Sequence, residues 1–98
     1  MKYIDDIVDY LSWNDNEISN IYRDDSEYII EIAMWNAKPC RLKTVNCQRF
    51  IHNICIRDDI GDIVIDDGAY KFMDIEEESE VILEIEADNI EILEFRIN

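Results

Sequence analysis

Isoleucine-rich runs, in which apolar and polar residues alternate, fill the chain from residue 17 onward, and each is closed by a turn-forming stretch. A two-residue period sends successive side chains to opposite faces, as a β-strand with one buried face requires. Residues 27–35 place Tyr28, Ile30, Ile32 and Met34 on one face and Ile29, Glu31, Ala33 and Trp35 on the other. Residues 47–56 set Phe50, His52, Ile54 and Ile56 against Cys47, Arg49, Ile51 and Cys55. Residues 80–87 set Val81, Leu83, Ile85 and Ala87 against Glu84 and Glu86, with Ile82 breaking the polar set. Residues 90–97 bring Leu93, Phe95 and Ile97 inward. Shorter runs at 17–23, 40–45, 60–65 and 70–73 also read as strands.

The separators are turn formers: Asp24-Asp25-Ser26, Asn36-Ala37-Lys38-Pro39, Asp58-Asp59, Asp66-Asp67-Gly68 and the solvated loop Glu76-Glu77-Glu78-Ser79. Asp88-Asn89 reads as the two-residue turn of a hairpin between the last two strands. Ahead of them, Tyr3, Ile4, Ile7, Val8 and Leu11 have helical spacing over residues 2–12, and Trp13-Asn14-Asp15-Asn16 ends that helix. The expected fold is α+β and mostly β: one N-terminal helix, then about six to eight short, mainly antiparallel strands in a sheet, sandwich or open barrel. At 98 residues, the expectation is a single domain over 1–98.

Charge narrows the functional classes. The chain has 24 acidic and 9 basic residues, a formal net charge of −15. Being 48% hydrophobic, with 19 isoleucines, it is apolar enough to fold despite that charge. A surface so anionic does not bind nucleic acid through phosphate contacts and is repelled by anionic membranes. It attracts a cationic partner. The charge is also uneven. Residues 38–57 contain no acid and five bases (Lys38, Arg41, Lys43, Arg49 and Arg57), whereas 58–98 hold 15 acids and 2 bases. The basic segment reads as a central piece whose bases pair with acids on neighbouring strands, or as part of a mixed-charge binding surface.

Catalytic and metal chemistry find little support. His52, between Phe50 and Ile54, reads as a core or interface histidine. Cys40, Cys47 and Cys55 lack a CxxC pair, so they are read as reduced thiols packed as small hydrophobes. The aspartates of 58–68 lack the ligand order and final glutamate of a calcium loop. The expectation is therefore no enzyme, no metal and no cofactor. The opening residues turn acidic by Asp5 without a signal-like apolar run, and no stretch is long and apolar enough to span a bilayer; a cytoplasmic location is expected.

What remains is surface. Asp58, Asp59 and Asp62, then Asp66 and Asp67, then Asp74, Glu76, Glu77, Glu78 and Glu80 form three acidic clusters in the turns of the C-terminal half. Their ordinary roles are solubility and protection of sheet edges, but −15 exceeds what solubility asks of a small domain. Trp13, Trp35, Tyr70 and Phe72 lie at or beside turns, where partly exposed aromatics anchor interfaces. The expected partner site is Asp58, Asp59, Asp62, Asp66, Asp67, Tyr70, Phe72, Asp74, Glu76, Glu77 and Glu78.

The run Ile32-Ala33-Met34-Trp35-Asn36, with Arg41-Leu42, Asn46, Phe50 and Ile60-Gly61-Asp62-Ile63, resembles small bacterial immunity proteins, the cytosolic antidotes encoded beside polymorphic or contact-dependent growth-inhibition toxins. The resemblance covers residues 28–66 and transfers no defined functional residue. It implies a monomer, when free, that neutralises a cognate basic toxin, such as a nuclease domain, by covering its active site with an acidic surface. Two alternatives share the charge: an anionic mimic of nucleic acid, and an acidic secretion chaperone.

Overall fold

A computed structural model of the protein describes residues 2–13, 16–34, 38–53, 59–76 and 80–96, the Trp13 side chain excepted. Eight strands are seen among them: β1 (Glu17–Asp24), β2 (Glu27–Ala33), β3 (Cys40–Val45), β4 (Arg49–His52), β5 (Ile60–Asp66), β6 (Ala69–Asp74), β7 (Val81–Glu86) and β8 (Asn89–Glu94). They form two four-stranded antiparallel sheets, ordered β1-β2-β3-β8 and β4-β7-β6-β5. The fold is thus mostly β, with a short helical segment at the front.

That segment is split rather than continuous over 2–12. A 3₁₀ turn, Ile4–Asp6, precedes α1 (Val8–Trp13), with Ile7 out of helical geometry between them. The Asp6 carboxylate accepts the backbone N–H groups of Lys2 and Tyr3 at 2.9 and 3.3 Å, which draws its pKa below the ordinary carboxylate value. Ile4, Ile7 and Leu11 are buried together, as their spacing requires, and α1 packs on β5.

Two tight hairpins follow the turn chemistry. Asp25, at φ 58°, turns β1 into β2. Asp67 and Gly68, at φ 45° and 82°, join β5 to β6; two successive positive φ angles define the type I′ turn that matches strand twist.

The expected hairpin at Asp88-Asn89 does not form. β7 and β8 lie in different sheets: β7 pairs with β4 and β6, and β8 pairs with β3. Neither Asp88 nor Asn89 has the positive φ of a type I′ turn. Instead the Ala87 N–H donates to Gly68 O and the Asp88 N–H to Val45 O, both at 3.0 Å. The chain crosses between sheets here, beside a second crossing at Asn46–Gln48. There the Gln48 N–H donates to Glu86 O at 2.8 Å and Asn46 Nδ2 to Asp88 Oδ2 at 2.9 Å. β3–β4 and β7–β8 therefore behave as two long strands bent together at one corner, the usual way strands switch sheets. Opposite that corner, Glu17 bridges Asp59 and the Ile60 N–H donates to Asn16 O at 2.8 Å, joining β1 to β5.

The core lies between the sheets, where Ile30, Ile32 and Leu42 meet Phe72, Leu83 and Ile85 in one cluster. Register irregularities adjust what faces it. Arg41 opposes Glu94 while Leu42 opposes Ile92, so Leu93 is a bulge residue. It is 41% exposed rather than inward as its alternation implied; Ile90 is buried in its stead. Ile97 lies outside the described residues.

The basic segment is largely neutralised across strands. Arg41 faces Glu31 at 3.6 Å, Lys43 faces Asp24 at 3.4 Å and Arg49 faces Glu86 at 3.5 Å. Arg57 lies outside the described residues. These cations are matched locally, and the outer surface elsewhere carries the excess of acid.

Candidate functional site

The candidate site is built on the outer face of the β5–β6 hairpin. Inward residues of this pair are Ile63, Tyr70 and Phe72, all buried. The outward row on β5 is Asp62, Val64 and Asp66, and the facing residues on β6 are Met73, Lys71 and Ala69. At its start the pairing skips a residue: Ile60 opposes Asp74 and Asp62 opposes Met73, leaving Gly61 as a bulge. A Cβ on Gly61 would stand 2.6 Å from both Asp74 O and the Ile75 Cα, so only glycine lets the end of β6 pass this closely.

That close passage shapes a groove of about 500 Å³ lined by Ser12, Gly61, Asp62, Val64, Met73, Asp74 and Ile75. Two of its apolar members are open to solvent, Val64 at 44% and Ile75 at 41% exposed, and Met73 is partly so. Its acidic members are held in place. Asp62 Oδ1 accepts the Ile63 N–H at 2.8 Å; Ser12 Oγ lies 3.4 Å from it but donates its proton to Val8 O at 2.9 Å. Asp74 Oδ1 accepts the Glu76 N–H at 2.8 Å. Each carboxylate is tethered through one oxygen, and its Oδ2 takes no hydrogen bond from the described residues. Apolar floor and oriented carboxylate rim together suit a cationic, amphipathic group.

The acidic residues of the sequence-predicted site divide into three groups. Asp59, Asp62, Asp74 and Glu76 are brought to the groove end of the hairpin; Asp59 is exposed and bridges Glu17 there. Asp66 and Asp67 are exposed at the opposite end, roughly 20 Å away along a seven-residue strand. Asp67 there borders a shallow polar depression with Gln48, Glu86 and Asp88. Asp58, Glu77 and Glu78 lie outside the described residues, as do Trp35 and the Trp13 side chain.

Tyr70 and Phe72 are corrected. Tyr70 is 4% exposed and Phe72 is fully buried, so neither presents a ring to a partner. Both sit on the inward phase of β6, opposite Ile85 and Leu83 of β7. Burial raises the Tyr70 pKa, with Asp5 and Asp88 adding to the shift, and its hydroxyl donates to Asn89 Oδ1 at 3.3 Å. The apolar contacts of the face are instead Val64, Met73 and Ile75. The signal for Val64 was present in the sequence, since Asp62, Val64 and Asp66 share one phase; the exposure of Ile75 follows from the bulge.

Other chemistry-bearing residues are placed less suggestively. His52 is exposed on β4, so it is not a core histidine; its ring stands edge-on to Phe50 at 6.1 Å. Phe50 in turn stacks on Tyr28 at 4.0 Å. Burial, with Glu94 nearby, pushes the Cys40 thiol up to about 12, and burial also raises that of Cys47. Cys55 lies outside the described residues. Among the described residues, no three His, Cys, Asp or Glu side chains are grouped to hold a metal ion. No helix among them is long and apolar enough to cross a membrane.

Compared with known proteins, the chain matches no family model, no curated protein and no solved structure.

Proposed function

We propose that this protein is a binding inhibitor that docks a cationic protein on the groove end of the β5–β6 face, acting as the immunity partner of a toxin such as a nuclease. The observation that carries this reading is the groove itself, in which the exposed side chains of Val64 and Ile75 share a lining with Asp62 and Asp74. Solubility alone calls for charge at such a place, not for apolar side chains left open inside it. The charge complements a nuclease, whose cleft must be cationic to hold phosphates. An acidic cover over that cleft competes with substrate and needs no chemistry of its own. The excess of acid over base, −15 overall, adds long-range attraction that speeds encounter.

The test is co-expression in a bacterial host with the C-terminal domain of whatever large protein proves to be encoded next to this gene. The reading predicts restored growth and a complex that co-purifies, both lost on replacing Asp62 and Asp74 by lysine. If the neighbouring domain is harmless, or is neutralised equally well by the lysine variant, the reading fails. Competition by the protein against DNA on several unrelated DNA-binding proteins would point instead to a general mimic of nucleic acid.

A further inference from the structure

We infer that the groove at Gly61 is a seat for one arginine side chain presented by the partner protein; this rests on the docking reading above and specifies its chemistry. The lining combines two kinds of side chain, and these match the two parts of an arginine. Val64, Met73 and Ile75 offer an apolar surface for the alkyl stem. Asp62 and Asp74 border the same groove, each fixed through Oδ1 by a backbone N–H at 2.8 Å. Their Oδ2 atoms are acceptors that have already lost rotational freedom, so a bound cation does not have to order them. A guanidinium suits two such acceptors better than an ammonium does. It spreads five donors over a plane, is more weakly hydrated, and packs its faces on apolar groups. The volume of about 500 Å³ leaves room for the side chain and for the backbone that carries it. Charge selects the same occupant. Arg41 and Arg49 are already paired with Glu31 and Glu86, whereas Asp62 and Asp74 are in no ion pair among the described residues, even with Lys71 standing opposite Val64 on the same face.

The test is an amide-resolved NMR titration of the ¹⁵N-labelled protein with N-acetyl-arginine N-methylamide. N-acetyl-lysine N-methylamide and the neutral citrulline analogue serve as comparisons. The expected result is saturable shifts confined to the amides of Ser12, Gly61–Val64 and Met73–Glu76. Affinity for arginine should exceed that for citrulline by about tenfold, the scale of one charge-assisted contact. The Asp62→Asn/Asp74→Asn variant, with an otherwise unchanged spectrum, should lose that preference. Shifts spread equally over Asp24–Asp25, Asp66–Asp67 and Asp88 would overturn the seat, as would equal binding of lysine or no effect of the double variant. The two readings fail separately. A cationic partner that protects Asp67 and Asp88 but not the groove sinks the arginine seat and keeps the inhibitor. A groove that takes the arginine probe in a protein that neutralises no neighbouring toxin does the reverse.

Discussion

Gly61 stands so close to Ile75 that a Cβ on it would fall 2.6 Å from the Ile75 Cα. The bulged glycine thereby determines where the end of β6 runs, and so where Asp74 and Ile75 stand relative to Asp62 on β5. The acidic residues of this end are otherwise ordinary turn residues. It is the close backbone approach that makes them the rim of a groove.

Replacing Gly61 by alanine should therefore act on both stability and binding. The added methyl meets backbone rather than a flexible side chain, so β5 and β6 must separate locally. Overpacking of this kind costs about 1–3 kcal/mol. Urea unfolding should report that loss, and the partner should bind more weakly even though no charge has changed. A variant as stable as the parent would show that the approach is not needed.

The inward and outward phases of β6 predict a contrast between two substitutions. Phe72→Ala empties a fully buried site and should cost about 3–5 kcal/mol. Val64→Thr on the facing strand changes an exposed residue and should stay within about 0.5 kcal/mol of the parent. Partner affinity should fall for Val64→Thr, where stability does not. Equal stability losses in the two variants, measured by thermal or urea unfolding, would contradict the assigned faces.

Net charge predicts how stability answers to salt. With 24 acids against 9 bases, repulsion within the folded chain outweighs its exposed ion pairs, each worth about 0–1 kcal/mol. Added sodium chloride screens both. The melting temperature should rise with salt and then level off. A fall would mean that the cross-strand pairs at Arg41, Lys43 and Arg49 dominate.

Thiol reactivity gives a check on the first sheet. Cys40 is fully buried, and burial lifts its pKa to about 12. Since the thiolate is the reactive form, alkylation at neutral pH requires unfolding. In a Cys55→Ser background, Cys47 should react with iodoacetamide slowly and Cys40 only when urea opens the fold. Prompt labelling of Cys40 in the folded protein would contradict its placement on the inward face of β3.

Much of the architecture is legible in the alternation of apolar and polar residues, because a two-residue period is a direct imprint of a sheet with one dry face. Asp66-Asp67-Gly68 announced its turn for a specific reason: Gly68, and Asp67 with it, tolerate the positive φ that the turn demands. Asp88-Asn89 looked similar and failed because a pairing partner is chosen by the whole sheet. Val45 and Gly68 supply the acceptors for Asp88 and Ala87, and no local signal reports that. The same limit explains Leu93, whose bulge depends on how β8 meets Arg41 and Leu42. For the site, acidity at Asp62, Asp74 and Glu76 could be read directly. Tyr70 and Phe72 lie near a turn, which suggests exposure, but their phase along β6 buries them. The groove itself was not legible, since it depends on Gly61 being a bulge.

Recognition of a cationic protein at this groove, through oriented carboxylates, is what we propose. The most direct measurement is the association rate with a toxin domain that this protein neutralises on co-expression, followed from low to high sodium chloride for the parent and for Asp62→Lys/Asp74→Lys. The rate should fall steeply with salt in the parent, and the variant should be slower by about tenfold or more at low salt with a shallower dependence. A rate indifferent to salt and identical in the two proteins would contradict it.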